Sequence, residues 1–263
     1  MLRVRNEFQQ VFQRLGLTSC ESVVRHFAGM DPPSAEVVVH LAELIRSDGV
    51  SLVVFYKQYN YAPPAWRFVG RPSKAWYEFR NYEVFARLGI PSAESIACGE
   101  QRDGLGRLHR AFILTRAIPD ALPLPEFFAR HCVNRAEGDS RRRRESLLRQ
   151  LAGLTRRIHD ASFFHHDLVW RNILVTCSPP AEPSLWWIDC PRGGFDRWSP
   201  LRRRRRLKDL ASLDKMASEH CTPGERLRFT KLYLGKTRLD AEAKKLVRDT
   251  LDYRRTRWPD DWR

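Results

Sequence analysis

The sequence lacks the features that mark several large classes of protein. Its 263 residues contain no run of about 18 or more apolar residues, so no segment is predicted to cross a membrane as a helix. The N-terminal stretch lacks the apolar core of a signal peptide, which predicts a cytoplasmic protein. No repeat, helix-turn-helix, zinc-finger or RNP-like motif is present, so we expect no specific nucleic-acid partner.

Cysteine is sparse and scattered. The chain has six cysteines, with no CxxC pair and no histidine at metal-binding spacing from them. Without an export signal they are expected to be reduced and structural, and no zinc site is predicted. The six are Cys20, Cys98, Cys132, Cys177, Cys190 and Cys221.

The chain has few acidic residues relative to its basic residues. The 31 Asp and Glu residues are outnumbered by 46 Lys and Arg residues, which gives a net charge of +15. This surplus indicates an anionic partner, and the composition leaves nucleic acid, a phosphorylated substrate and a membrane surface open. The hydrophobic content of 43% is typical of a globular chain with one large domain or two coupled lobes.

The secondary-structure signals that are present predict an α+β protein. β-Branched and aromatic residues predict strands at 35–44, 51–59, 95–98 and 110–115, with a loop opening at Pro63 and Pro64. Apolar spacing predicts helices at 74–88, 141–159, 207–217 and most of 225–251, and short strands at 172–176 and 185–189. A proline-rich connector at 117–124 separates the strand-rich first part of the chain from the helix-rich second part. We therefore predict a β-rich lobe of residues 1–117 and a helical lobe of residues 118–263.

The most informative stretch is 158–175, IHDASFFHHDLVWRNILV. It predicts a helix, a loop with Asp167, an asparagine five residues later and then a strand. Phosphoryl transfer to a hydroxyl needs a carboxylate that orients the hydroxyl and an amide oxygen that helps to hold Mg²⁺. Asp167 and Asn172 supply both groups at the spacing of the kinase pattern His-Arg-Asp-Leu, three residues, Asn, in which only the Arg is replaced.

A second carboxylate, Asp189, follows a predicted apolar strand 22 residues after Asp167. Magnesium prefers carboxylate and phosphate oxygens, which an aspartate at a strand end can supply. Taken alone, such an aspartate is usually a turn residue. The neighbouring Asp167–Asn172 pair favours a Mg²⁺-binding role for Asp189.

A lysine near the end of a predicted strand, Lys57, is the candidate cation for the α- and β-phosphates of ATP. A kinase holds this lysine with a glutamate of the following helix, and the helix at 74–88 offers Glu78 and Glu83. Five residues turn a helix by roughly 500°, so the two glutamates lie about 140° apart and cannot both face Lys57. We favour Glu78. The alternative is that both are surface carboxylates.

These residues together resemble the protein-kinase-like superfamily, and within it the lipopolysaccharide core kinase (Kdo/heptose kinase, WaaP-like) family. The likeness extends from about residue 37 to about residue 251 and includes the spacing from Glu78 to the sequence LGIP at 88–91. It implies a bilobal fold with a β-rich nucleotide-binding lobe and an α-helical catalytic lobe, and ATP and Mg²⁺ as cofactors. It also implies that His165 and Asp209 support the catalytic loop and that backbone groups near 115–117 contact the adenine.

Three features depart from the protein-kinase pattern. His166 replaces the arginine of the catalytic loop, and Asp189 is followed by Cys-Pro rather than Phe-Gly. We therefore expect neither activation by loop phosphorylation nor a phenylalanine flip. No glycine-rich phosphate loop is found, and Gly29 is considered as its substitute.

Two arginine runs have more than one interpretation. The run at 141–144 opens a predicted helix, where cations oppose the macrodipole, and a frayed solvated end is the common explanation. The run at 202–206 follows the predicted metal loop, where a kinase binds its acceptor. Arg202, Arg203 and Arg204 are therefore candidates to dock the phosphates and carboxylates of an anionic substrate. A solvated charge run is the alternative.

The resemblance implies a kinase that phosphorylates a sugar hydroxyl, a heptose of the lipopolysaccharide inner core. The anionic core is then the expected substrate, and the positive charge predicts peripheral contact with the cytoplasmic face of the inner membrane. The alternatives are a kinase for another small molecule or a protein, and a non-catalytic pseudokinase that binds anionic lipid. An aminoglycoside acceptor is disfavoured, because a cationic substrate needs an acidic pocket. The oligomeric state is left open.

Overall fold

Strands dominate the first part of the chain and helices the second, as the sequence predicts. The computed structural model describes residues 1–27, 36–45, 49, 51–134, 137–177 and 182–259. The chain divides into a sheet unit, Met1–Arg87 with Ser92–Ile118, and a helical unit, Leu88–Pro91 with Pro119–Arg263. The predicted boundary after residue 117 lies one residue from this division, and the sequence gives no sign that 88–91 belongs with the helical unit.

The described residues of the sheet unit form five antiparallel strands. They are β1 (Leu2–Val4), β2 (Val37–Ile45), β3 (Ser51–Ala65), β4 (Ser95–Arg102) and β5 (Leu108–Arg116), in the spatial order β1-β4-β5-β3-β2. In β3 the residues at even positions, such as Val54 and Tyr56, are buried, which is the period of a strand with one face in a core.

The strand β3 is longer than predicted, because it continues past Pro63 and Pro64 to Ala65. Its pairing with β5 is interrupted after Asn60 and resumes at Ala65. The prolines therefore lie where the ladder needs no N–H donor, which is where a strand tolerates proline.

The described part of the sheet unit also contains three α-helices: α1 (Gln9–Arg14), α2 (Cys20–Phe27) and α3 (Lys74–Arg87). The sequence predicts α3 from its apolar spacing but predicts neither α1 nor α2. Phe12 of α1 and Val23 of α2 belong to a buried apolar cluster with Tyr56 and Phe112 of the sheet. The two short helices thus cover the sheet face to which the even positions of β3 point.

Within its described ranges, the helical unit contains five helices and five short strands. The helices are α4 (Leu124–His131), α5 (Gly138–Asp160), α6 (Ser199–His220), α7 (Pro223–Leu234) and α8 (Ala241–Arg257). The strands are β6 (Leu122–Pro123), β7 (Phe163–Phe164), β8 (Ile173–Thr176), β9 (Ser184–Trp187) and β10 (Gly194–Phe195), and they form the sheets β6-β8-β9 and β7-β10. None of the helices in the described ranges is long and apolar enough to cross a membrane.

The predicted helical segment 225–251 is two helices. The first ends at Gly235, which has a left-handed backbone (φ 65°), and the second begins after Asp240, whose carboxylate accepts from the N–H of Ala243. Both are ordinary signals of a helix end and a helix start. The helix α7 begins with a capping box between Thr222 and Glu225.

One member of the first arginine run is a buried anchor rather than a frayed end. Arg144 is 6% exposed, and its guanidinium donates to both carboxylate oxygens of Glu225, at 2.7 and 2.8 Å. It also donates to the carbonyl oxygens of Cys132 (3.1 Å) and His220 (2.8 Å). The arginine run in the first turns of α5 therefore contains one side chain, Arg144, that joins α5 to α7.

Candidate functional site

The predicted catalytic loop of the helical unit is held by one buried carboxylate. The loop follows β7, and Asp209 of α6 is completely buried. The backbone N–H groups of His165 and His166 donate to the two oxygens of Asp209, each at 2.8 Å. These contacts are of the kind that the sequence predicts for Asp209. The ring of His165 is itself buried and packs edge-on against Trp187.

Asp167 and Asn172 lie together, as their spacing predicts. The amide nitrogen Nδ2 of Asn172 donates to the carbonyl oxygen of Asp167 at 2.9 Å and lies 3.4 Å from its carboxylate Oδ2. Since the amide nitrogen is directed to Asp167, the amide oxygen of Asn172 is the atom that can bind a cation. The short 3-10 helix Trp170–Asn172 between loop and strand β8 creates this approach.

Asp189 lies beside Asn172, because the N–H of Ile188 donates to the carbonyl oxygen of Asn172 at 3.0 Å. Asp189 and His166 both have left-handed backbones, with φ of 56° and 67°. Such a conformation in a residue other than glycine costs on the order of 1–3 kcal/mol. Of the four such residues in the described part of the chain, two lie in the loops that carry Asp167 and Asp189, and the other two are Asp120 and Ser162.

A glycine that the sequence interpretation missed sets the path of the loop after Asp189. A Cβ atom on Gly193 would lie 2.2 Å from Sγ of Cys190 and 2.9 Å from the ring of Phe163. Only glycine therefore lets this loop pack on β7. The adjacent Gly193-Gly194 pair was the available sequence signal.

Asp209 is also connected to two other helices, through His159 of α5 and Tyr233 of α7. Nε2 of His159 lies 3.3 Å from Oδ2 of Asp209, and Nδ1 lies 2.7 Å from the hydroxyl of Tyr233. Nε of Arg206 donates to the same hydroxyl at 2.5 Å. The Tyr233 proton is thus directed to Nδ1, which leaves Nε2–H of His159 to donate to Asp209. The sequence pattern gives no indication of this network.

In the sheet unit, Lys57 pairs with Glu78 and not with Glu83. Nζ of Lys57 lies 3.1 Å from Oε2 of Glu78. The buried Glu78 carboxylate also accepts from the hydroxyls of Tyr59 (2.9 Å) and Tyr82 (3.2 Å). Glu83 instead pairs with Arg3 at 2.8 Å on the surface. The favoured pair is present, and its role in binding ATP stays a prediction.

The segment predicted to contact adenine lies at the end of β5. The N–H of Arg116 donates to the carbonyl oxygen of Glu94 at 2.8 Å, and the N–H of Ala117 donates to that of Val53 at 2.9 Å. These two donors are therefore used inside the sheet unit and are not available to a ligand. Gly29, considered as a phosphate-loop glycine, lies outside the described residues.

Three basic side chains in the described part of the helical unit have lowered pKa values. Burial lowers the pKa of the His165 imidazole, and it lowers that of His166 to about 4, so His166 is neutral where a protein kinase has an arginine. Burial also lowers the pKa of Lys208, although the charges of Asp209 and Asp167 oppose this shift, and Arg192 adds to it. Lys208 is thus a basic side chain in the electrostatic neighbourhood of Asp167 to which the sequence interpretation gave no role, although it directly precedes Asp209.

The second arginine run is divided between internal and exposed roles. Arg205 pairs with Asp196 at 3.0 Å, and Arg203 pairs with Asp249 at 2.5 Å. Arg202 and Arg204 are exposed and form no ion pair within the described part of the chain. Of the three arginines predicted to dock an anionic substrate, Arg203 therefore already has a carboxylate partner.

All six cysteines are thiols that form no disulfide with another described cysteine. Burial raises the pKa of Cys98 to about 12 and those of Cys20 and Cys132 to about 11. These thiols are therefore unreactive at neutral pH, which agrees with a structural role.

Comparisons with known proteins identify the family of this chain. Residues 65–233 match the model of the lipopolysaccharide kinase (Kdo/WaaP) family. Over 136 residues the chain is 26% identical to the 3-deoxy-D-manno-octulosonic acid kinase of Haemophilus influenzae (strain 86-028NP), covering 51% of this chain and 52% of that protein. The chain thus spans about half the length of this curated relative.

A solved structure of WaaP in complex with acyl carrier protein is similar to the whole chain. The TM-score is 0.69 at 19% identity, and 100% of both chains is covered. This likeness confirms the predicted protein-kinase-like fold.

Proposed function

Because the chain belongs to the lipopolysaccharide kinase (Kdo/WaaP) family, we propose that it transfers the γ-phosphoryl group of ATP to a sugar hydroxyl of the lipopolysaccharide inner core. The observation that carries the proposal is the pairing of Asp167 with Asn172 in a loop braced by Asp209. A heptose is the acceptor we favour from the sequence resemblance, and Kdo is the alternative that the name of the curated relative supports.

In this proposal Asp167 accepts a hydrogen bond from the acceptor hydroxyl and orients it toward the phosphorus. The amide oxygen of Asn172 and the carboxylate of Asp189 fit Mg²⁺, which when bound neutralises charge on the phosphates. Among the described residues, no group of three or more His, Cys, Asp or Glu side chains could hold a metal ion. Two protein oxygens are nevertheless sufficient, because Mg²⁺ usually takes its other ligands from phosphates and water.

The nucleotide is proposed to bind the sheet unit beside Lys57. The ion pair with Glu78 fixes the ammonium group, which then donates to the α- and β-phosphates. Val39 lies opposite Lys57 across the β2–β3 pair and Leu41 lies opposite Phe55, and all three apolar side chains are exposed. An exposed apolar surface next to a fixed cation suits a ligand with an aromatic base and phosphates.

The test is transfer of label from γ-labelled MgATP to dephosphorylated lipopolysaccharide core. We expect label in the sugar fraction with the wild-type protein and a loss of at least about 100-fold in kcat with Asp167→Ala, because the acceptor hydroxyl is no longer oriented. Asp252→Ala, which removes an exposed carboxylate of α8, is the matched control and should retain full activity.

Other outcomes would identify the rival functions. ATP binding without label in sugar would contradict the core as acceptor and favour another small molecule or a protein. Absence of both ATP binding and transfer would overturn the enzyme and favour a pseudokinase that binds anionic lipid.

We also propose a carrier protein with an acyl chain as a partner, because a similar solved structure is a complex with acyl carrier protein. The helical unit contains an apolar cavity of about 280 Å³, to which α5, α6, α7 and α8 contribute leucines. Among them are Leu147, Leu213, Leu227 and Leu246. A hydrocarbon chain fits such a lining better than a polar ligand.

The proposed place of action is the cytoplasmic face of the inner membrane. The net charge of +15 supports peripheral attraction to an anionic surface, which falls as the salt concentration rises.

A further inference from the structure

Two exposed aromatic rings lie on the elements that hold the catalytic loop. Phe195 is 55% exposed and Trp198 is 65% exposed. Phe195 ends β10, where it pairs with Phe163 of β7, directly before the loop. Trp198 is the N-cap residue of α6, the helix that carries Asp209. Exposed rings of this size are costly in water and often mark a binding surface.

The segment between the two rings is anchored by Asp196. Its N–H donates to the carbonyl oxygen of Ser162 at 2.9 Å, and its carboxylate accepts from the N–H of Trp198 at 3.1 Å. Arg205 pairs with the same carboxylate at 3.0 Å. The two rings therefore flank a turn that Asp196 stabilises, and the carboxylate of Asp196 is already paired with Arg205.

Helical geometry separates Arg202 and Arg204, the two exposed arginines of the second run that form no ion pair with any described residue. Arg202 lies seven residues before Asp209, which places it about 20° from Asp209 around the axis of α6. Arg204 lies five residues before Asp209, about 140° away. Trp198 directly precedes the first turn of α6, and its carbonyl oxygen accepts from the N–H of Arg202 at 3.0 Å. Arg202 therefore lies on the face of α6 that holds the catalytic loop, with Trp198 next to its turn of the helix, and Arg204 does not lie on that face.

We propose that Arg202, Trp198 and Phe195 form the surface that binds the anionic sugar of the acceptor. This proposal rests on the proposed kinase function. Arg202 donates two N–H groups to a carboxylate or phosphate of the sugar, and the two aromatic rings contact the apolar C–H face of the sugar ring.

Charge complementarity favours this occupant. Residues 190–206 contain seven arginines and one acidic residue, Asp196. Arg192 and Arg197 are exposed as well, so the surface around the rings is positive and attracts an anion.

The experiment compares Arg202→Ala and Trp198→Ala with two matched controls. Arg204→Ala removes an equally unpaired arginine on the other face of α6. Trp66→Ala removes a tryptophan of similar exposure, 62%, in the sheet unit. The acceptors are dephosphorylated lipopolysaccharide core and the same core with its carboxylates methyl-esterified, and KM for acceptor, KM for ATP and binding of acceptor without ATP are measured.

We expect Arg202→Ala to raise the acceptor KM and the acceptor Kd at least about tenfold and Trp198→Ala about fivefold, with KM for ATP unchanged. The controls should stay within about twofold of wild type. Esterified core should bind wild-type protein and Arg202→Ala equally weakly, and Arg202→Lys should restore only part of the affinity, because lysine cannot form the two-pronged contact.

Equal acceptor KM and Kd values for Arg202→Ala and Arg204→Ala, with wild-type transfer intact, would overturn this surface and leave the kinase function standing. An effect seen with core in vesicles but not with delipidated core would also overturn it, because the contact would then be with the membrane. Failure of wild-type protein to phosphorylate any core would instead count against the proposed function.

Discussion

Asp209 joins more of the candidate site than any other single residue. Its carboxylate accepts from two backbone N–H groups of the catalytic loop and contacts His159 of α5. Burial by itself would raise the pKa of Asp209, but the hydrogen bonds from His159 and from the His165 backbone outweigh it and lower the pKa. The residue is therefore an anion at neutral pH, and its hydrogen bonds are of the stronger, charge-assisted kind.

We predict that Asp209→Asn lowers kcat by at least about tenfold while KM for ATP changes little. An amide has one acceptor oxygen, so one N–H of His165 or His166 loses its partner and the loop with Asp167 shifts. The unfolding free energy should fall by about 1–3 kcal/mol. Steady-state kinetics and urea unfolding of this variant check the prediction, with Asp252→Asn as the exposed control. Retention of wild-type kcat would show that Asp209 has no positioning role.

At the scale of elements, α5 is attached to α7 near both ends. Near its N-terminus, Arg144 makes a two-pronged ion pair with Glu225, and near its C-terminus His159 contacts Tyr233. Burial alone would raise the pKa of Glu225, but the hydrogen bonds from Arg144 and Thr222 lower it to about 2. The ionised carboxylate is thus bound more tightly in the folded chain than in the unfolded one.

This pair predicts a pH-dependent contribution to stability. A carboxyl group with a lowered pKa stabilises the fold above its unfolded pKa of 4.5 and loses this contribution as the pH falls toward about 2. Glu225→Gln should therefore lower the unfolding free energy by about 2 kcal/mol at pH 7, after allowance for partial solvent screening. The difference from wild type should shrink steadily below about pH 4.5.

Urea unfolding at several pH values between 7 and 3 measures this difference. Glu219→Gln, an exposed residue near the end of α6, is the control and should show no such trend. A difference between wild type and Glu225→Gln that stays constant with pH would contradict an ionised Glu225.

At the scale of the whole molecule, an apolar cavity and a strongly positive surface occur in one chain. The cavity is lined by residues of α4, α5, α6, α7 and α8, and the net charge is +15. The proposed acceptor is anionic and the proposed carrier brings an acyl chain, so the two features suit two different partners.

We predict that Leu227→Asp weakens binding of palmitoyl-acyl carrier protein about tenfold. Leu227 lines the cavity and is 44% exposed, so an aspartate there puts a charge where the acyl chain would be buried. Leu232→Asp, on the same helix and 37% exposed but outside the cavity lining, is the control. Calorimetric titration gives both affinities, and equal affinities would contradict the cavity as the acyl site.

The sequence alone determined that strands dominate the first part of the chain and helices the second, and it brought out Lys57, Asp167, Asn172 and Asp189. It could do so because these features are local: period in the apolar pattern, turn residues, and a motif within eighteen consecutive residues at 158–175. The short helices α1 and α2 were not predicted, because burial against the sheet stabilises them. The break between α7 and α8 was not predicted either, although Gly235 is a signal of a helix end.

Tertiary structure alone decided which side chains meet. Helical geometry shows that Glu78 and Glu83 cannot both face Lys57, but the packing of α3 on the sheet is what selects Glu78. The contact between His159, Tyr233 and Asp209 joins residues 50 and 74 positions apart. Tertiary structure also decided that Arg144 of the first arginine run is buried and that Arg202 of the second run is exposed. Pairing across such distances depends on the relative placement of whole helices, which no local pattern of residues encodes.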